Sequence, residues 1–382
     1  MQHFSVRLAG ATLALIAPCT HALDLAAWQT QDAAPTWKVG TTLAEESVGQ
    51  GLPVLALSRG DWPRYGVDTT QPGHAWRSIR ADVYAIHPNG WRVGAVLRAE
   101  AWVQGNADAV ALATAITLQQ DPASARSYVA DTSAQGWVGR GFQIGTPWWN
   151  LPATEAWQWQ ADAALLQLTQ LRRDEIKGMA QYQNGGTYAF DAHRTRSNPD
   201  NDNPFLTAPG TTGQGATMSL ALRGQPAAHW RVQLRADDLL SRLRWSGMPT
   251  ETSSLNSNVT TRAADGSLDY GPAIQGQVGL RALNTTIGAH WQAQAAWNAF
   301  ADTSNPGAIT LRADRKAGIT QGWLGWDSGG SGRWRWAVAA EPVLHAASLD
   351  LWWGGLQISL ATDAKGLQSH YRRWRLGWEI PL

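Results

Sequence analysis

Apolar residues recur at every second position through one short segment after another, and that is the side-chain repeat of a β-strand. The first clear hairpin sets Ile79, Ala81, Val83 and Ala85 against Arg80, Asp82 and Tyr84, and turns at Pro88-Asn89-Gly90. It returns with Trp91, Val93, Ala95, Leu97, Ala99, Ala101 and Val103 against Arg92, Arg98 and Glu100. Much later in the chain, Ile274, Gly276, Val278, Leu280 and Ala282 oppose Gln275, Gln277 and Arg281. Beyond Asn284-Thr285-Thr286, Ile287, Ala289, Trp291, Ala293, Ala295, Trp297 and Ala299 oppose His290, Gln292, Gln294 and Asn298. In both hairpins one face is apolar and the other polar or charged.

Extended along the chain, the pattern predicts strands near 77–87, 91–103, 108–119, 136–145, 155–171, 176–183, 187–194, 216–223, 230–245, 272–283, 287–301, 308–313, 318–326, 333–343, 349–361 and 367–382. That is about sixteen, within a range of about fourteen to eighteen. Two Ala-rich stretches compete as helices, because alanine is the strongest helix former. Period assigns both to strands: Val110, Leu112, Thr114, Ile116 and Leu118 keep i, i+2 spacing, and Trp157, Trp159, Ala161 and Ala163 face away from Gln158, Gln160 and Asp162. Residues 195–215 and 246–271 form the two longest expected loops, on one side. Charges at Asp237-Asp238 and Arg172-Arg173-Asp174-Glu175 fit strand ends and turns.

Two-faced strands this numerous need two solvents. After residue 22 no apolar run approaches the ~18 residues of a membrane-spanning helix, so entry into a bilayer would be as strands. In hydrocarbon an unpaired backbone amide costs several kcal/mol, which requires a sheet without edges. The expected fold is therefore all-β: a single transmembrane antiparallel β-barrel over 77–382, with 23–76 as an extra hairpin around Trp37 to Glu45 or a plug. The 23 Trp residues outnumber 5 Phe and 7 Tyr, as interfacial girdles of a barrel would require. Trp91, Trp148, Trp149, Trp245, Trp323, Trp326, Trp334, Trp336, Trp352 and Trp353 fall near expected strand ends.

The first 22 residues carry a basic start (His3, Arg7), an apolar run from Leu8 to Ala17, a breaker at Pro18 and small residues at Thr20 and Ala22, the layout of a cleavable secretory signal. Cys19, the sole cysteine, goes with it, which leaves neither disulfides nor a cysteine metal site. Net charge is +1, too weak a field for nucleic acid.

The closing segment alternates Trp374, Leu376, Trp378, Ile380 and Leu382 up to the carboxyl terminus. It resembles the carboxy-terminal signature of Gram-negative outer-membrane β-barrel proteins, a porin-like class, although the usual terminal aromatic is replaced by Leu382 after Pro381. The resemblance implies residence in outer-membrane lipid, recognition of the last strand by the barrel-assembly machinery, and homo-oligomers as one option.

Motifs for chemistry are sparse. Asp327-Ser328-Gly329-Gly330 echoes a serine-protease nucleophile segment but lacks a histidine partner motif and suits a turn. His193, Thr195, Ser197 and Asn198 are similar in type to the His, Ser and Asn of outer-membrane phospholipases, and fit a polar strand end better. Asp200-Asn201-Asp202-Asn203 could offer oxygen ligands to Ca²⁺ but lacks the glycine and distal glutamate of an EF-hand loop. The expectation is no enzyme, no metal and no cofactor. The polar face remains: Arg80, Asp82, Arg92, Arg98, Glu100, Gln275, Gln277, Arg281, His290, Gln292 and Gln294 would line a pore passing small hydrophilic solutes by diffusion. Two alternatives stay open: a barrel acting as adhesin, export partner or lipid-modifying enzyme through its loops, and a secreted Trp-rich carbohydrate-binding β protein.

Overall fold

The computed structural model describes residues 36–57, 59–152, 154–183, 187–199, 212–257, 260–262, 268–270, 274–298, 307–329 and 334–382. Its elements are β1 (Lys38–Gln50), α1 (Val54–Leu57), β2 (Gly73–Ile86), β3 (Arg92–Gly105), α2 (Ala107–Leu118), β4 (Arg126–Gly145), β5 (Trp149–Leu151), β6 (Thr154–Gln183) and β7 (Thr187–Ser197). There follow β8 (Thr212–Ala227), β9 (Trp230–Asn256), β10 (Thr260–Arg262), β11 (Leu268–Tyr270), β12 (Ile274–Thr285), β13 (His290–Trp297) and β14 (Ala308–Lys316). The last five are β15 (Ile319–Asp327), β16 (Trp334–Glu341), β17 (Ala346–Trp353), β18 (Leu356–Thr362) and β19 (Tyr371–Pro381).

The sheet closes because β1 pairs antiparallel with β2 on one side and with β19 on the other, from Lys38 opposite Pro381 to Val48 opposite Tyr371. The wall is a closed antiparallel barrel of 14 strands, with further strands outside that ring. Wall strands are β1–β4, β6, β8, β9 and β13–β19. β7 continues the line of β8, bridging the far halves of β6 and β9, and β12 does the same for β13 against β9. No edge strand is left inside the ring, as hydrocarbon demands.

Register fixes which side chains face outward. On β15 to β19 these include Leu324, Trp336, Val338, Leu349, Leu360, Leu376 and Trp378, all exposed. Their neighbours along each strand, such as Gln321, Arg335, Ser348, Ser359 and Arg375, are buried and turn inward. Apolar outside and polar inside is the reverse of a water-soluble core, and strands of seven to eleven residues are near the ~9–11 of strands that cross a bilayer.

The opposite flank is taller. β6 has 30 residues and β9 has 27, which at ~3.3 Å per residue reach well past any bilayer. Both strands exchange their faces on the way. On β9 the outward Leu234 and Leu240 give way to exposed Arg242, Arg244 and Ser246, while the inward set changes from Gln233, Arg235 and Asp237 to buried Leu243 and Trp245. On β6 outward Leu165 gives way to exposed Gln167 and Thr169, and Asp162 on the inner side is followed by buried Leu166 and Leu168. Together with Val96, Trp137, Leu171, Met248 and Ile287 these form an apolar core of ordinary water-soluble type.

Several sequence expectations are corrected. Residues 107–118 are a helix, not a strand. Asn106 caps it by accepting from the Ala109 amide at 3.0 Å, and Gln119 ends it in the left-handed region at φ 53. Alternation misled here because the intervening residues are Ala and Thr rather than polar, so no second face exists. The expected strand 349–361 is a hairpin, β17 and β18, turned at Gly354-Gly355 with Gly354 at φ 58. The two segments 155–171 and 176–183 are one strand. The Arg172 to Glu175 run stays extended because Arg173 pairs with Glu175 on its own face and Arg194 of β7 pairs with Asp174. β9 runs to Asn256, well into the expected 246–271 loop. Within 23–76, β1 is a wall strand and β2 starts at Gly73. The expected signal segment, Cys19, the Asp200 to Asn203 cluster and most of the 195–215 loop lie outside the described residues.

Candidate functional site

The inward polar face encloses a cavity of about 220 Å³ in the membrane-spanning part of the barrel. Of the side chains expected to line a pore, Arg80, Arg92, Arg98, His290, Gln292 and Gln294 border this cavity. Asp82 and Glu100 share the same inward face but are buried behind it. Gln275, Gln277 and Arg281 are misplaced by the sequence reading: β12 lies outside the ring, and all three are exposed beyond it. Their alternation is real, but a sheet projecting into water alternates as well as one in a wall.

Charges inside the barrel are matched. Arg98 of β3 donates through both Nη atoms to Asp238 of β9, at 2.7 and 2.6 Å. β4, β6 and β8 separate those two strands in the wall, so the pair crosses the lumen. Asp237-Asp238 is therefore no strand end. The β8–β9 register shifts between Met218 and Leu220, with Asp238 at φ 55, and this irregularity brings both carboxylates inward. A second crossing joins Lys316 of β14 to Glu46 of β1. A third sets His290 of β13 3.4 Å from Glu100 of β3, whose Oε1 accepts from Trp76 Nε1 at 2.6 Å. The Trp76 and His290 rings meet edge-on at 4.8 Å. Nearer the terminal end, Arg92 donates to Asp162 at 3.0 Å, and Arg235 lies between Asp162 at 3.6 Å and Asp237 at 2.8 Å.

Sequence reasoning missed Glu46, Asp162, Arg235, Arg312, Lys316, Asp350 and Arg373. A signal was present in the repeat Arg-x-Asp/Glu, which occurs at Arg80, Arg98, Arg235 and Arg312. Residues two apart share a strand face, so each guanidinium is held beside its own carboxylate: Arg80 Nε sits 3.0 Å from Asp82 and Arg312 Nε 2.9 Å from Asp314. Indoles support the arginines from the side. Arg312 lies 4.7 Å from the Trp323 ring centre and Arg335 4.4 Å from Trp352, so these two tryptophans and buried Trp245 belong to the interior.

Outward indoles gather at the rim where β1 begins and β19 ends. Trp37, Trp91, Trp149, Trp230, Trp297, Trp334, Trp353 and Trp378 are exposed at strand ends on that rim. Trp334 stacks on Trp353 at 5.2 Å, Trp230 on Trp297 at 6.4 Å, and Trp149 meets Trp91 and Trp159 edge-on. An exposed ring of amphipathic indoles bordering an apolar band marks a membrane–water interface.

The motifs with catalytic echoes have structural partners. Asp327 binds Arg335, and Ser328 Oγ accepts from the Trp336 amide at 3.0 Å. His193 and Thr195 lie on β7, beyond the ring. Among the described residues no cluster of His, Cys, Asp or Glu is arranged to hold a metal ion.

No protein-family model matches the sequence, and no curated protein matches it. Among solved structures the chain is similar to a deletion mutant of the monoaromatic hydrocarbon channel TodX, with 9% identity over 90% of this chain and 89% of that one at a TM-score of 0.42. It is also similar to the Ralstonia pickettii toluene transporter TbuX, with 7% identity over 91% and 90% at 0.32. The β domain of the Bordetella autotransporter BrkA follows, with 10% identity over 91% and 100% at 0.30. Identities this low carry no residue's role from those proteins to this chain. The chain itself is a closed antiparallel β-barrel with an apolar outer face.

Proposed function

We propose that the protein is a narrow outer-membrane channel through which small hydrophilic solutes diffuse. The reading rests on one observation above others: a charged cavity lies inside a wall whose outer face is apolar. Burying this many charges is costly unless each is paired, and pairing alone would be served as well by apolar packing of similar volume. A polar lumen has a use where water and solutes enter it. Opposed charges across a constriction set up a transverse field that orders water and screens solutes by size and polarity. The crossings Arg98–Asp238 and Lys316–Glu46 narrow the path, so conductance should be small. No covalent chemistry and no cofactor enter this reading. Export through the 1–22 signal, assembly through β19, and a periplasmic rim at the Trp-rich end complete it.

Planar-bilayer recording on protein refolded in detergent and checked by heat-modifiable gel migration tests it. Discrete current steps are expected, with amplitudes below those of wide general porins. Folded, inserted protein that gives no steps would refute the channel and leave a structural or loop-borne role.

A further inference from the structure

We infer that the lumen favours anions, a conclusion that rests on the channel reading and concerns which solutes pass. Net charge does not give this result, because each arginine of the repeat has its own carboxylate. Position does. Nine of the residues bordering the cavity are arginine or lysine and six are aspartate or glutamate. Four carboxylates paired with bordering arginines, Asp82, Glu100, Asp162 and Asp314, do not border it.

The geometry of each pair explains the difference. Asp82 has 0% of its side chain exposed against 24% for Arg80, and Asp314 has 1% against 15% for Arg312. In these two pairs the short carboxylate stays at the wall, whereas the longer guanidinium arm reaches the open space, so each is a dipole with its positive end inward. Arg235–Asp237 and Arg92–Asp162 are oriented the other way, with the carboxylate the more exposed. A solute in the cavity meets the nearer charges first, and in a low-dielectric wall the nearer charge dominates. Arg312 and Arg373 flank the Trp323 ring, at 4.7 and 5.9 Å, and so present two guanidinium groups to one passing group. A small anion such as chloride, phosphate or a carboxylate is the chemistry that fits, and guanidinium forks suit oxyanions in particular.

The test is the reversal potential of single channels in a tenfold KCl gradient, on the whole refolded protein. A chloride-to-potassium permeability ratio of about 3 or more is expected for a lumen lined in this way. Replacing two pairs whole, with Arg80→Gln, Asp82→Asn, Arg312→Gln and Asp314→Asn together, keeps net charge constant and removes two inward cations. The ratio should then fall by about half, and an account based on net charge alone expects no change. Inorganic phosphate added to the wild-type channel should reduce chloride current by competition, a readout that needs no variant. A wild-type ratio of one or below, with normal current steps, overturns the anion inference and leaves the channel reading standing. The absence of steps overturns both.

Discussion

The β14–β19 flank and the β6–β9 flank solve the same problem with opposite chemistry. Along β14 to β19 each strand spans once, apolar outside and polar inside. Along β6 and β9 that arrangement holds only as far as Leu165 and Leu240, after which charge moves outward and Leu243, Trp245 and Leu168 move inward. A single strand thus serves two solvents. The backbone needs no change for this, because a pleated strand presents two faces everywhere and only the residues decide which face is wet. The difference locates the limit of the hydrocarbon on the tall flank.

The largest expected effect concerns the membrane band. Asp238→Ala leaves the buried Arg98 guanidinium with only Glu100, at 3.7 Å, and breaking such a buried pair costs about 3–5 kcal/mol. Replacing both, as Arg98→Met with Asp238→Asn, which tolerates the left-handed backbone there, should cost much less, by urea titration in lipid vesicles. If the single substitution costs no more than the double, the pair is not shielded from water.

A smaller effect separates the flanks directly. Leu324 is 58% exposed in mid-band, and Leu324→Arg should destabilise by about 2–4 kcal/mol in the same titration. Ile274, 68% exposed at the start of β12, lies beyond the ring, and Ile274→Arg should stay within about 0.5 kcal/mol. Similar costs at both sites would place β12 in lipid and erase the distinction.

The smallest concerns ion pairing in water. Arg194–Asp174 joins β7 to β6 beyond the membrane, with the arginine 36% exposed. Arg194→Ala should cost less than about 1 kcal/mol, with the difference shrinking in high salt. A cost comparable to that of Asp238→Ala would mean that this pair is as shielded from water as Arg98–Asp238.

The barrel was legible because its signal is local: alternation in β2, β3 and β13 to β19 follows from neighbours in sequence, and register then places whole faces. What the sequence hid was non-local or ambiguous. The stretch 107–118 alternates large with small apolar residues and has no polar face, so capping by Asn106 decides its state. Gln275, Gln277 and Arg281 have the right period but sit beside a strand that has already left the membrane. The lumen's crossing pairs join strands far apart in the chain, and no spacing rule gives Asp238 as the partner of Arg98. The Arg-x-Asp/Glu repeat and the Gly354-Gly355 turn were visible and carried more than alternation alone extracted.

Exchange of faces along β9 is the central claim, and a scan of single cysteines from 230 to 256 in lipid vesicles measures it most directly. Cysteines at 234 and 240 should resist a water-soluble maleimide and be reached by a lipid-borne quencher through an attached fluorophore, whereas those at 242, 244 and 246 should react freely with the maleimide. Free aqueous labelling at 234 and 240, or lipid contact at 242, 244 and 246, would contradict the account.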